Sequence, residues 1–346
     1  MTKMIIPSLM IDVAGTALDE EDKALLADTS VAGVILFARN VETPAQVRAL
    51  TDSMRAVNEA LVIAVDQEGG RVARLRTGFT PLPAMGHLGQ RYDVAPDEAL
   101  SLAFDVGYLM ACEVLAVGID LSFAPVLDID AGSLVIGDRA FHQTPKIASI
   151  LSAQFMAGMK AAGMSATGKH FPGHGSVIPD SHVSDACDER CFEEIWAHDT
   201  QVFIDNLAHL SALMPAHVVF RQIDDKPAGF SKIWLQDIIR NKLAFDGVLF
   251  SDDLSMKAAH VAGGVVERVT AALEAGCDVA LICNDREGAK AAITNAQALP
   301  PLTTYRLGRM KAAIPVWQGD LESTCRQAFL GWADAKARVT QAFFGS

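Results

Sequence analysis

Nowhere in its 346 residues does the chain contain about 18 consecutive uncharged apolar residues, the length a membrane-spanning helix needs. Basic residues are also scarce: 29 Lys and Arg face 42 Asp and Glu, giving a net charge of -13. Such an acidic surface repels phosphate backbones, so no nucleic-acid partner is expected. The turn after the first predicted strand, "DVAGTALDE", lacks the G-x-G-x-x-G of a dinucleotide site, and no P-loop or H-E-x-x-H motif occurs. Cysteine is sparse and scattered. Cys187 and Cys191 are four apart, but no second close pair completes a zinc site, so six free thiols in a reducing compartment are expected. Linkers rich in Pro, Gly or Ser, low-complexity tracts and long repeats are absent as well.

What is present is ordinary for a soluble globular protein: half the residues are apolar and 21% are charged. The opening "MTKMIIPSLMIDVAG" is interrupted by Pro7 and Asp12, and reads as a first strand in preference to a signal peptide. A cytoplasmic monomer is the resulting expectation, with no membrane partner.

Short apolar or β-branched runs recur along the chain, at 4–13, 31–38, 61–66, 119–127, 164–169, 210–219, 247–251 and 278–283. Amphipathic stretches such as "TPAQVRALTDSMRAVNEA" and "SKIWLQDIIRNKLA" separate them, with Thr43 and Ser231 where N-caps belong. Near-continuous apolar strands alternating with helices predict an α/β fold with a parallel sheet covered on both faces. Eight such units predict a TIM-type (β/α)8 barrel over residues 1–300, with extra C-terminal helices over 301–346 packed on it. An open doubly wound sheet is the runner-up.

In a barrel, functional groups gather at the C-terminal strand ends. The unusual polar residues fall there: "DQEGGR", "LDID", "KHFPGHG", "PAH", "SDD" and "CND". Asp252 and Asp253 end the seventh run, and spacing alone leaves nucleophile and helix cap about equally open for either. Asp66, Gly69–Gly70, Arg71 and Arg74 form either a turn with an internal ion pair or a substrate clamp. Arg139 alone would be a surface charge. Lys169 at an inner strand end must find an anion or hydroxyls. His174, between two glycines, is expected to brace its loop. Asp180 and His182 face the same way if that stretch is extended, and so could form a proton shuttle; an Asp turn followed by an exposed histidine is the plainer alternative. His170, His174, His182, Asp180, Asp252 and Asp253 could also be arranged around a metal, as in metal-dependent amidohydrolases. The missing His-x-His on the first strand makes that second choice.

Together, "DQEGGRVARL", "FAPVLDID", "IGDRAF", "KHFPGHG…DSH", "MPAH" and "GVLFSDDLSM" resemble family 3 glycoside hydrolases, specifically the bacterial single-domain β-N-acetylglucosaminidases of cell-wall recycling. The resemblance implies a retaining exo-enzyme acting on terminal non-reducing β-linked N-acetylglucosamine, with muropeptides (N-acetylglucosamine β-1,4-linked to anhydro-N-acetylmuramic acid) as its small carbohydrate substrate. It implies Asp252 as nucleophile and His182 with Asp180 as the acid/base pair, where the usual retaining enzyme has two carboxyl groups roughly 5 Å apart. Asp66, Arg74, Arg139, Lys169 and His170 would hold the sugar. No metal and no cofactor is implied. A β-glucosidase or a glycoside phosphorylase on the same fold is the alternative.

Overall fold

The computed structural model describes residues 8–177, 186–300 and 306–345. Eight parallel strands follow the predicted rhythm among these residues: β1 Leu9–Ile11, β2 Val31–Leu36, β3 Val62–Val65, β4 Leu121–Ser122, β5 Thr167–Phe171, β6 Ala212–Pro215, β7 Val248–Leu249 and β8 Ala280–Ile282. They form two parallel sheets, one in the order β8-β1-β2-β3-β4 and the other β7-β6-β5. Isolated parallel bridges lie at both gaps between the sheets, Val126 with Lys169 and Phe250 with Val279.

The strands are short but fully buried, and their composition shows why. All six residues of β2, "VAGVIL", are buried, because the sheet is covered on both faces and no alternation is needed. Gly33 is required within it: a Cβ there would collide with the Val62 carbonyl of β3 and the Met10 side chain of β1. The run predicted over 119–127 shrinks to Leu121–Ser122. Pro125 has no N–H to extend the ladder, which explains the early end.

Helix Pro44–Val57 has the start that was read from its sequence. The Thr43 hydroxyl accepts from the Gln46 amide at 3.2 Å and Pro44 occupies the first turn. Val47, Leu50, Thr51 and Met54 are its buried stripe, at the i, i+3, i+4, i+7 spacing that puts one face on the core. "SKIWLQDIIRNKLA" is helical too, but Ile233–Lys242 winds as a π-helix closed by the Leu243 amide on the Ile238 carbonyl. Ser231 still caps it, its hydroxyl accepting from the Trp234 amide.

Helix Pro96–Ala116 is long and apolar enough to cross a bilayer, yet most of it is buried inside the protein. Helices Pro145–Ala161 and Trp332–Phe343 lie against it. The second of these is fixed by Arg338, which donates twice to Asp105 at 2.6 and 2.7 Å, and by the buried Trp332 and Val339. All six cysteines are free.

Candidate active site

Two hollows lie at opposite ends of the strands. The larger, about 620 Å³, opens near the start of β6 and β7 among Ser211, Phe245, Asp246 and Arg309. Its main charge, Asp246, is already neutralised by Arg306 and Arg309 at 2.9 and 3.0 Å. The smaller, about 260 Å³, sits at the C-terminal strand ends and collects Asp66, Glu68, Arg74, Arg139, Lys169, His170, His174, Asp252 and Asp253. It is close to the lower bound of roughly 300 Å³ for small-ligand sites. Convergent charge, not size, marks this one as the candidate.

One wall is an interlocked set of charges. Asp66 leaves the end of β3 and accepts from the Lys169 ammonium of β5 at 2.9 Å; Arg74 lies 3.6 Å from its other oxygen. Lys169 also meets Glu68 at 2.6 Å, and Arg139 closes on Glu68 through two parallel bonds of 2.8 and 2.9 Å. Burial pushes the Glu68 carboxyl up, but Lys169 and Arg139 outweigh it and hold the group down at about 2. Burial likewise opposes the charge on Lys169, while Asp66 and Glu68 raise its pKa above the ordinary lysine value. Glu68 and Lys169 are therefore both ionised over the whole physiological range.

The turn that delivers Glu68 is a small antiparallel hairpin, Gln67–Gly69 with Val72–Ala73. Gly69 and Gly70 both adopt positive φ, and a Cβ on Gly69 would strike the Pro83 carbonyl.

Histidines line the cavity as well. His170 and Lys169 both face the cavity, and the peptide bond between them is cis. The His170 ring nitrogen Nδ1 lies 2.7 Å from Asp128, a fully buried carboxylate that also accepts the His174 amide at 2.7 Å. His174 thus braces its loop through its backbone, as expected, but its ring also lines the cavity, 6.0 Å from that of His170. Burial keeps the His174 pKa below the ordinary histidine value, against the pull of Asp128.

Asp252 and Asp253 part company here. The Asp252 carboxylate accepts the Asp253 amide at 2.8 Å and is otherwise turned to the cavity. Burial would raise its pKa, but His170, His217, the Asp253 amide and Lys169 together hold it below the usual aspartate range. Asp253 caps no helix. Its oxygens take the Ser255 amide and hydroxyl at 2.9 and 2.7 Å and the Cys283 amide at 3.2 Å, tying the turn to the end of β8. Burial raises the pKa of its carboxyl. His217, at the end of β6, bonds the Asp253 carbonyl at 3.1 Å and stacks on Phe230.

Asp66, Arg74, Arg139, Lys169, His170 and Asp252 are thus brought together around one cavity. Asp180 and His182 lie outside the described residues. Sequence reasoning passed over Glu68, Asp128 and His217 as individual residues. All three stood in the strand-end clusters "DQEGGR", "LDID" and "PAH", so the signal was their position. Among the described residues, no three His, Cys, Asp or Glu side chains converge as a metal ion would require.

A charged, preorganised pocket with one outward-facing carboxylate suits a polyhydroxylated ligand and attack on an electrophilic carbon. Comparison with known proteins points the same way. Residues 4–304 match the profile of the glycosyl hydrolase family 3 N terminal domain. The chain is 53% identical over 305 residues to a β-hexosaminidase of Pseudomonas aeruginosa, covering 88% of this chain and 90% of the relative. It is 48% identical over 337 residues to a β-hexosaminidase of Tolumonas auensis, covering 96% of each. A crystal structure of NagZ from Neisseria gonorrhoeae in complex with N-trifluoroacetyl-D-glucosamine is similar with a TM-score of 0.88 at 39% identity, over 99% of both chains.

Proposed function

This chain belongs to glycosyl hydrolase family 3, and we propose that its reaction runs through a covalent glycosyl-enzyme on Asp252. The activity is that of an exo-β-N-acetylglucosaminidase, a β-hexosaminidase that removes terminal β-linked N-acetylglucosamine. The observation that carries the mechanism is the outward-facing Asp252 carboxylate, kept ionised beside His170 and Lys169 in a cavity walled by sugar-binding charge.

In the first step an Asp252 oxygen bonds to the anomeric carbon as the bond to the leaving oxygen breaks. His182, paired with Asp180, gives that oxygen its proton. Water then attacks the same carbon, His182 takes the water's proton, and Asp252 departs as carboxylate. The roles of His182 and Asp180 rest on the family resemblance of "KHFPGHG…DSH". Asp66, Lys169, Arg74, Arg139 and His170 hold the sugar ring, the charged pairs selecting for hydroxyls because an analogue lacking one would leave them unpaired.

Muropeptides released in peptidoglycan recycling are the proposed natural substrates, in the cytoplasm, where six unpaired thiols are at home. The proposed fold is a closed (β/α)8 barrel over 1–300 carrying the C-terminal helices of 301–346. The two bridges between the sheets and the C-terminal position of the cavity support it.

The test is initial-rate hydrolysis of the 4-nitrophenyl β-glycosides of N-acetylglucosamine and glucose, with and without EDTA, by wild type and Asp252→Ala. Preference for the N-acetyl sugar, indifference to EDTA and loss of activity in the variant are expected. Turnover of the glucoside alone would move the reading to a β-glucosidase. Abolition by EDTA would revive the metal-dependent alternative.

A further inference from the structure

Asp128 is not among the residues lining the cavity and is 1% exposed, yet its carboxylate makes several short contacts directly behind them. One oxygen accepts the His174 amide at 2.7 Å, and both lie 3.2 Å from the His170 amide. The second oxygen lies 2.7 Å from His170 Nδ1. Bracing the loop needs only an acceptor for the two amides, and a neutral asparagine could supply one. Burying an ionised carboxylate for that purpose alone would be costly. The ring contact explains the charge. An acceptor that is never a donor, 2.7 Å from Nδ1, leaves only the tautomer or cation with a proton on Nδ1. Burial raises the Asp128 carboxyl pKa, while His170 and His174 pull it below the usual range, so the acceptor is present at working pH.

We propose that Asp128 is a positioning residue of the reaction: it fixes the proton on His170 Nδ1 and so determines which face of the ring, Nε2, is offered to the sugar and to Asp252. The inference rests on the reading of Asp252 as nucleophile. His170 is the group whose charge most favours the Asp252 carboxylate, ahead of His217, the Asp253 amide and Lys169. The His170 ring meets Asp128 at Nδ1, lies 6.0 Å from the His174 ring, and shares the cavity with the charged Asp252 and Lys169. In Asp128→Asn the side chain can turn its NH2 to Nδ1, which moves the ring proton to Nε2 and abolishes the anion. Elsewhere, the same change behind a catalytic imidazole costs about 10⁴ in kcat through the wrong tautomer.

The experiment is a double-mutant cycle of Asp128→Asn and His170→Ala, read as kcat and KM on 4-nitrophenyl N-acetyl-β-glucosaminide across pH, with Tm alongside. Wild-type turnover and its loss in Asp252→Ala come first, so failure of the nucleophile reading shows before Asp128 is tested. Asp128→Asn should lower kcat roughly 100-fold and raise the acid limb of the pH profile, at a Tm close to wild type. In the His170→Ala background the same change should matter less than about 3-fold, because both substitutions remove one unit. An equal loss in both backgrounds would make Asp128 a loop brace and overturn the proposal. Nitrogen-15 NMR of histidine-labelled wild type, with the His170 signal identified by its absence in His170→Ala, needs no Asp128 variant. A bare Nδ1 with the proton on Nε2 would refute it outright.

Discussion

Glu68→Gln is the sharpest perturbation of the charged wall. The substitution preserves shape, so its effect isolates the negative charge that Lys169 and Arg139 share. Glu68 is 4% exposed, so solvent screening does little to weaken these contacts. Its carboxyl falls from the ordinary 4.5 to about 2 on folding. At about 1.4 kcal/mol per pH unit this corresponds to about 3 kcal/mol of stability. Because the folded value is the lower one, that stability is complete above pH 4.5 and is lost as pH falls through 2. The glutamine variant forgoes it at every pH and leaves Lys169 with Asp66 as its remaining anion, so the loss at pH 7 should reach about 3 to 5 kcal/mol. Urea unfolding at pH 7 and pH 3 measures it. Wild type should lose part of its advantage over the variant at pH 3, and the midpoint gap at pH 7 should be about 1 M or more. KM for the N-acetylglucosaminide should rise as well, since Arg139 loses its bidentate anchor. A variant within about 1 kcal/mol of wild type at pH 7 would show that the wall is solvated and that the argument from burial is wrong.

Two further outcomes follow from the proposed acid/base pair and from the C-terminal helices. His182→Ala should cripple turnover of glycosides with poor leaving groups, by about 10² or more, and spare activated aryl glycosides; equal rates on both classes would remove His182 from the mechanism. Trp332→Ala, at a side chain 1% exposed between Trp332–Phe343 and Pro96–Ala116, should cost about 3 to 5 kcal/mol in unfolding while leaving KM unchanged.

Much of this was legible in the residues. Seven of the eight strands fall inside their apolar runs and the other, Thr167–Phe171, starts inside the run 164–169 and passes its end by two residues, because a strand buried on both faces needs no alternation. Asp66, Lys169, His170 and Asp252 were legible as well, since each stands at or just past the end of a strand, whereas Arg139 lies far along a loop and was singled out only by the family resemblance. Their pairings were not. Lys169 meets Asp66 across 103 positions of sequence, Arg139 meets Glu68 across 71, and His170 meets Asp128 across 42. No local pattern says which carboxylate answers which cation, and Glu68 and Asp128 look, in sequence, like neighbours of more conspicuous residues. The π-helix over Ile233–Lys242 was hidden for a related reason: its apolar spacing is compatible with an α-helix, and the wider turn emerges only from packing.

Those long-range pairings also explain why the cavity can be both charged and selective for a neutral ligand. Lys169, Arg139, Asp66 and Glu68 are linked in one chain of ion pairs before any sugar enters, so binding a hydroxyl requires little reorganisation. What remains unsatisfied is small and local: Arg74 Nε and His174 Nδ1 are buried without a hydrogen-bond partner among the described residues. Neutral hydroxyl or amide groups can answer such atoms without disturbing the ion pairs around them, whereas an anionic ligand would compete with Asp66 and Glu68 for the same cations. Among the described residues, Asp252 is the cavity carboxylate with the fewest protein partners, and it faces the space such a ligand would fill. The wall's charges thus satisfy one another and leave the Asp252 charge free for the anomeric carbon, as the proposed mechanism requires.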